Sequence, residues 1–117
     1  MPDIGLIYHM CRQEEWRTAL ETGRYLGSSQ DREDGFIHFS TAVQITESAA
    51  RHRAGQTGLA LLAVRPETLG ASLKWEPARN GDLFPHVYGG IPVAAAHWIK
   101  PLPLGPDGVH LFPPLEP

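Results

Sequence analysis

The sequence is poor in cysteine, in positive charge and in long hydrophobic runs, and each shortage excludes a class of protein. Cys11 is the only cysteine among 117 residues, which excludes an internal disulfide and a cysteine-rich metal site and favours a reducing compartment. The 10 Lys and Arg residues are outnumbered by 13 Asp and Glu residues, so the net charge is −3. We therefore expect no nucleic-acid partner, although one or two local arginines are enough to bind a small anion.

The hydrophobic content places the chain among globular proteins. It is 42%, which is ordinary for a folded domain and too high for a disordered one. No run approaches the ~20 apolar residues of a membrane-spanning helix, and the N-terminus lacks a basic region followed by an apolar stretch. We therefore expect a cytoplasmic protein without a membrane partner. The length fits a single domain, residues 1–117, with a core over about residues 4–112 and an irregular proline-rich C-terminal tail across its surface.

Hydrophobic periodicity predicts an α+β domain with two helices and five or so strands. The first helix is expected over Arg12–Thr22, and the second begins at the capping box formed by Thr41 and Gln44. The polar segment Gly27–Asp34 is interpreted as a solvated loop. Strands or strand-like segments are expected at Ile4–Met10, Gly35–Ser40, Leu59–Val64, Ser72–Glu76, Phe84–Tyr88 and Val93–Ile99.

The segment Gly35–Thr41 is the most informative part of the sequence. Strand alternation sends Phe36, His38 and Ser40 to one face, and the apolar residues between them to the other. A polar pair in an apolar strand costs desolvation free energy, which must be offset by hydrogen bonds or justified by chemistry. His38 is therefore either an acid–base or ligand-orienting group or a buried histidine bonded to a backbone carbonyl. Ser40 is either part of a site or the cap of the following helix.

Other polar groups occupy strand-like or glycine-flanked positions, and each has a structural alternative. His9, at the end of the first strand, is a site residue or a buried structural histidine. Glu76 is a site carboxylate or a solvated one. His86 and Tyr88 form either one side of a pocket beside Gly89-Gly90 or a partly buried aromatic wall. Two charged clusters fit simpler roles: Arg51-His52-Arg53 can bind a phosphate or end a helix favourably, and Asp31-Arg32-Glu33-Asp34 fits a solvated loop.

An ordered set of short motifs resembles a bacterial family catalogued as domain of unknown function 952. The motifs are Ile7-Tyr8-His9, Trp16, Gly23-x-Tyr25, Gly35-Phe36-Ile37-His38-x-Ser40, Gln44, Lys74-Trp75-Glu76 and Phe84-Pro85-His86-Val87-Tyr88-Gly89. The resemblance implies an ADP-ribosyltransferase-like fold, a strongly bent and split antiparallel sheet around a nucleotide cleft. It also implies a possible NAD cofactor, with His9, Ser40 and Glu76 in the order found in NAD-using members of that fold. The Ile-His-x-Ser portion is similar to a strand of the RNA 2′-phosphotransferases.

Three functions are compatible with these residues. In the first, the cleft binds a nucleotide-like or other small molecule without turnover. In the second, an NAD-dependent transferase uses His38, Glu76 and His9 in catalysis. In both, the ligand is held by residues from several segments, namely His9, Ser40, His86 and Tyr88. The third is metal-assisted hydrolysis through His9, His38 and His86 with Glu76 as base, although no local metal-binding motif supports it.

Overall fold

Short strands alternate with helices along the chain, and no strand exceeds seven residues among those that the computed structural model describes. The model describes residues 5–117, apart from the side chain of Arg79; the predicted strand start at Ile4 lies outside this range. The α-helices are α1 (Gln13–Thr22), α2 (Ser29–Asp34) and α3 (Ala42–His52). The strands are β1 (Ile7–Arg12), β2 (Arg24–Tyr25), β3 (Ile37–His38), β4 (Leu59–Val64), β5 (Leu73–Pro77), β6 (Leu83–Val87), β7 (Ile91–Pro92) and β8 (Ala96–Leu102). Short 3-10 turns occupy Pro66–Ser72, Arg79–Gly81 and Val93–Ala95.

The strand pairings of residues 5–117 are all antiparallel and fall into three sheets. The strand orders are β1-β4-β8, β2-β7 and β3-β6-β5. Strand β4 is the centre of the first sheet and is buried along its whole length, as its unalternated apolar sequence predicted. Its side chains alternate between two hydrophobic clusters. Leu62 and Val64 belong to the cluster under α1, and Leu61 and Ala63 belong to the cluster under α3. The α+β class is thus confirmed.

The two predicted helices form for the predicted reasons. In α1, Trp16 and Ala19 are buried, and Gly23 ends the helix with a left-handed backbone at φ 88°, a conformation that glycine adopts without steric cost. Thr41 caps α3, and the reciprocal bonds with Gln44 form the capping box. The cap position therefore belongs to Thr41, which excludes the alternative that Ser40 caps the helix.

The prediction of a solvated loop over Gly27–Asp34 was wrong. Residues Ser29–Asp34 form α2, and Ser28 and Asp31 make the same reciprocal capping box as Thr41 and Gln44. Asp31 is only 3% exposed. A short acidic segment is therefore a helix whose first-turn carboxylate points into the protein.

The last third of the chain also departs from the prediction. Val93–Ala95 is a 3-10 turn, so β8 begins later than the predicted strand at Val93–Ile99. The tail packs into the fold, because Phe112 and Leu115 lie against the cluster under α3. The Tyr8 hydroxyl donates to the backbone oxygen of Glu116 at 3.1 Å and accepts from its N–H at 2.7 Å.

The segment from Phe36 to Ser40 connects two sheets. His38 pairs with His86 on β6, whereas Ser40 forms an isolated antiparallel bridge with Tyr8 on β1. The predicted alternation is confirmed, because Ile37 and Phe39 enter the cluster under α1 while the Phe36 and His38 rings lie together, 4.6 Å apart. His38 consequently lies at the junction of two sheets.

None of the helices in residues 5–117 has the length and apolar character needed to span a membrane.

Candidate functional site

A cavity of about 910 Å³ lies among β1, α2, α3, β6 and the residues from His38 to Ser40. It brings together four of the six residues that the sequence indicated, namely His9, His38, Ser40 and His86. Glu76 and Tyr88 are not part of its described lining. They contact His86 instead.

Asp31 lines the cavity and is the centre of a hydrogen-bond network in its wall. One carboxylate oxygen accepts from the His38 ring nitrogen Nδ1 at 2.6 Å and from the His38 backbone N–H at 3.1 Å. The other accepts from the backbone N–H of Ser28 at 2.8 Å. Burial alone would raise the pKa of Asp31, but these hydrogen bonds and the nearby His9 hold that pKa well below its usual range. A buried, ionised carboxylate therefore fixes the ring of His38.

His9 is buried at the cavity and makes two short hydrogen bonds. Its Nδ1 lies 2.6 Å from the His38 carbonyl oxygen, and its Nε2 lies 2.6 Å from the Tyr25 hydroxyl. Since a carbonyl only accepts, Nδ1 donates, and Nε2 of the neutral ring accepts from Tyr25. Burial lowers the pKa of His9, an effect that Asp31 partly offsets. His9 thus supports the backbone at His38 through Nδ1.

The exposed end of the His38 ring faces a second carboxylate. Its Nε2 lies 3.1 Å from Asp34 at the end of α2, and its side chain is 42% exposed. Both ring nitrogens donate to carboxylates only when the ring carries two protons. This geometry holds one nitrogen inside the protein and presents the other at the cavity, which suits proton transfer.

His86 is held by a carboxylate in the same way from the next strand. Its Nδ1 donates to Glu76 at 2.8 Å, and the Tyr88 hydroxyl donates to the same oxygen at 2.8 Å. The bonds from His86 and Tyr88 lower the pKa of Glu76, and the bond to Glu76 raises the pKa of Tyr88. The Phe36 ring stacks on His86 with centroids 4.1 Å apart. The aromatic-wall interpretation of His86 and Tyr88 is therefore realised together with a cavity-lining position for His86.

Ser40 lies on the α3 side of the cavity. Its hydroxyl is 3.1 Å from that of Ser48, and the residue is 6% exposed. Its backbone pairs with Tyr8 in both directions at 2.8 Å. The hydroxyl thus belongs to a small polar patch on the α3 side of the cavity.

Three arginines complete the lining at the edge where β1 and α3 end. Arg12 follows from β1, while Arg51 and Arg53 come from the end of α3. Arg53 is half-buried and donates to the Met10 carbonyl oxygen at 3.3 Å and to Gln56 at 3.1 Å. Arg51 pairs with Glu47 along the helix at 3.1 Å. Arg51 and Arg53 thus lie at a helix C-terminus, where cations are favourable, and also border the cavity.

The described part of the chain contains no group of three or more His, Cys, Asp or Glu residues that could hold a metal ion. His9, whose two nitrogens are already bonded to Tyr25 and to a backbone carbonyl, cannot ligate without breaking one of those bonds. The ligand set of the metal-assisted hypothesis is thus not assembled.

Sequence reasoning missed Asp31 as a site residue, although a signal was present. Ser28 and Asp31 have the same three-residue spacing as Thr41 and Gln44, which identified α3. That spacing indicates a helix start and a carboxylate bonded to the backbone. It does not indicate that the carboxylate also reaches His38, because that contact depends on the turn between α2 and β3.

Comparisons with known proteins agree on a relationship without giving an activity. The model of a family described as "Protein of unknown function (DUF952)" matches residues 10–99. The crystal structure of protein CC0527 from Caulobacter crescentus is 44% identical with a TM-score of 0.87, covering 91% of this chain and 93% of that one. The solution NMR structure of CC0527 is 45% identical with a TM-score of 0.80, covering 89% and 90%. No curated protein matches the chain.

Proposed function

Since the chain belongs to DUF952, a family of unknown function, we propose a function from the cavity itself: it binds a small nucleotide-like ligand, with His38 as the group that exchanges protons with it. The observation that carries this proposal is the convergence of His9, His38, Ser40 and His86, from separate segments, on one cavity. Its volume of about 910 Å³ is within the range of ~300–1,000 Å³ typical of small-molecule sites.

The chemistry of the walls favours a nucleotide-like molecule over a purely apolar one. Histidine and serine side chains can bond sugar hydroxyls, and the edge with Arg12, Arg51 and Arg53 offers guanidinium groups to an anion. The cavity has cations near one part and aromatic or histidine rings near another. Such walls match a molecule with a charged end and a planar end. The buried Asp31 supports this assignment, because a carboxylate that fixes a histidine ring at a cavity is a common arrangement for binding and acid–base chemistry.

An NAD-dependent transferase with an ADP-ribosyltransferase-like fold is the second candidate. Its support is the split antiparallel sheet and the chain order of His9 on β1, Ser40 at the β1 bridge and Glu76 on β5. Glu76 is separated from the described cavity lining by His86, to which it is bonded. A transferase role requires Glu76 to exchange that bond for a sugar hydroxyl when the ligand enters. The first candidate needs no such exchange and is therefore preferred.

Thermal denaturation with a panel of ligands tests the proposal. AMP, ADP, ADP-ribose and NAD are each added at millimolar concentration. A ligand present at one hundred times its Kd stabilises the native state by about 2.7 kcal/mol, which corresponds to a Tm rise of roughly 10 °C for a domain of this size. The rise should be lost in His38→Gln and kept in His97→Gln, a matched control because His97 is exposed on β8 and outside the described lining. No Tm rise with any of the four nucleotides would refute the proposal.

Glu76→Gln separates the two candidates. If the protein is a transferase, this variant retains NAD binding but loses release of nicotinamide, which is measured by chromatography. If the cavity only binds its ligand, neither the wild type nor Glu76→Gln releases nicotinamide, and the two proteins bind NAD with the same affinity.

A further inference from the structure

His38 and His86 are two halves of a symmetric arrangement that the sequence does not suggest. They are directly opposite each other on β3 and β6, with ring centroids 5.7 Å apart and the rings nearly edge to face. The Nδ1 atom of each ring donates a hydrogen bond to a carboxylate. The acceptor is Asp31 for His38, at 2.6 Å, and Glu76 for His86, at 2.8 Å. Both histidines line the cavity. With both Nδ1 atoms bonded to carboxylates, the Nε2 atoms are the ring nitrogens left for a ligand.

The outer nitrogens differ in what they can do. Nε2 of His38 lies 3.1 Å from Asp34 at the cavity, so a proton on this nitrogen is placed to be donated. His86 is 6% exposed, and its Nε2 has no hydrogen-bond partner among the side chains that the structure describes. When Nδ1 carries the only ring proton and directs it to Glu76, Nε2 presents its lone pair and can accept a proton. A buried nitrogen without a partner costs free energy unless a ligand or water completes it.

We propose that His38 and His86 form an acid–base pair that hydrolyses a phosphodiester of the nucleotide type, an inference that rests on the nucleotide-binding function proposed above. His86 Nε2 takes a proton from a water molecule as its oxygen bonds to phosphorus. The bond between phosphorus and the leaving oxygen breaks, and that oxygen takes the proton from His38 Nε2. The products are a phosphomonoester and an alcohol. Proton exchange with solvent returns both rings to their starting states.

The arginines at the edge of the cavity indicate the class of substrate. A phosphodiester carries one negative charge, and guanidinium groups on the edge of the same cavity, from Arg12, Arg51 and Arg53, complement it in a chain whose net charge is −3. Asp34 is the group that the substrate displaces. Its side chain is 38% exposed at the last residue of α2, so it can swing into solvent while the leaving oxygen takes its place at Nε2.

Charged residues of α2 and β5 flank the pair. Lys74 is opposite His86 on β5, and its ammonium lies 5.5 Å from the centre of the Tyr88 ring. Asp31 and Glu76 are positioning residues, because they act through the histidines. Their conservative variants Asp31→Glu and Glu76→Gln should lower kcat while leaving KM nearly unchanged, whereas general unfolding would lower the active fraction and the Tm together.

Hydrolysis of bis(4-nitrophenyl) phosphate and of adenosine 2′,3′-cyclic phosphate by the purified full chain tests the proposal. Both should be hydrolysed with a bell-shaped dependence of kcat/KM on pH, because one ring must be protonated and the other not. His38→Gln and His86→Gln should each lower kcat by about 100-fold or more, since general acid–base catalysis contributes ~10²–10⁴-fold. His97→Gln is the matched control and should retain full activity.

A second measurement covers the case in which His86→Gln fails to fold. In the wild-type protein, addition of inorganic phosphate should shift the ring-proton NMR signals of His38 and His86 together, while the signal of the exposed His97 stays unchanged. Binding of AMP without hydrolysis of either diester would overturn the acid–base proposal and leave the binding function standing. Absence of binding as well would overturn both.

Discussion

Replacing Asp31 by Asn tests whether the buried carboxylate holds the site and the fold together. The substitution keeps the size of the side chain and removes its charge. The carboxylate accepts three hydrogen bonds, from the Ser28 backbone, the His38 backbone and the His38 ring. An amide has one acceptor oxygen and one donor nitrogen. Whichever way it is turned, its N–H₂ therefore faces at least one of these donors.

The magnitude follows from the number and type of bonds. Hydrogen bonds to a charged group contribute about 1.5–3 kcal/mol each, and a buried unsatisfied donor costs about 1–3 kcal/mol. The exposed part of His38 lets water compensate some of the loss, so we expect a total of about 3 kcal/mol. The free energy of unfolding of small domains is about 5–15 kcal/mol. Asp31→Asn should therefore remain folded, with a Tm lower by roughly 10 °C.

Urea denaturation of the two proteins as a function of pH is the assay. In the native state the pKa of Asp31 is held below its value in the unfolded chain, which is about 3.9. Its contribution to stability is therefore complete above about pH 4 and is lost as the pH falls through the lower native pKa. The stability difference between wild type and Asp31→Asn should be full at neutral pH and should shrink in acid.

Asp34→Asn is the control, because Asp34 contacts the same histidine from the same helix but is 38% exposed. Exposed ion pairs contribute little, so we expect a loss below about 1 kcal/mol. The reasoning is refuted if Asp31→Asn lies within about 0.5 kcal/mol of wild type at neutral pH, or if the difference between them does not change with pH.

Three further predictions concern single residues. Burial lowers the native pKa of His9. The free energy of unfolding of the wild type should therefore fall as the pH drops below the pKa of histidine in the unfolded chain, about 6.5, with a slope of up to about 1.4 kcal/mol per pH unit. His9→Gln should lack this slope in urea titrations. Gly27→Ala should cost more than Gly23→Ala, because both have φ near 90° but only at Gly27 would the new Cβ lie 2.8 Å from Asp31 Cβ; calorimetry showing equal losses would contradict this. Burial raises the pKa of Cys11 to about 12, so iodoacetamide should modify it much more slowly in the native protein than in urea.

Much of the fold was predictable because it depends on neighbours in the sequence. Spacing in α1 identified the buried face with Trp16, and the Thr41–Gln44 pair located the start of α3. Alternation separated Ile37 and Phe39 from His38. Such patterns report interactions between residues at most a few positions apart, which a linear sequence contains directly.

The contacts that shape the site were not predictable in the same way. The sequence left open whether Glu76 is a site carboxylate or a solvated one. The register of β5 on β6 sets Lys74 opposite His86 and Glu76 opposite Phe84. From that position the Glu76 carboxylate bonds the inner nitrogen of His86. Strand register depends on the packing of whole sheets, and a change of one residue reverses every side chain.

The sequence alone determined the α+β class, the two main amphipathic helices and the polar residues of the strand around His38. Only the tertiary structure decided that Asp31 is a buried partner of His38, that His86 lies across from it, and that the arginines border the same cavity. The physical reason is the range of the interactions. Helix caps and periodicity arise within a few residues, whereas the cavity forms where strands distant in the sequence pair and leave a gap between two sheets.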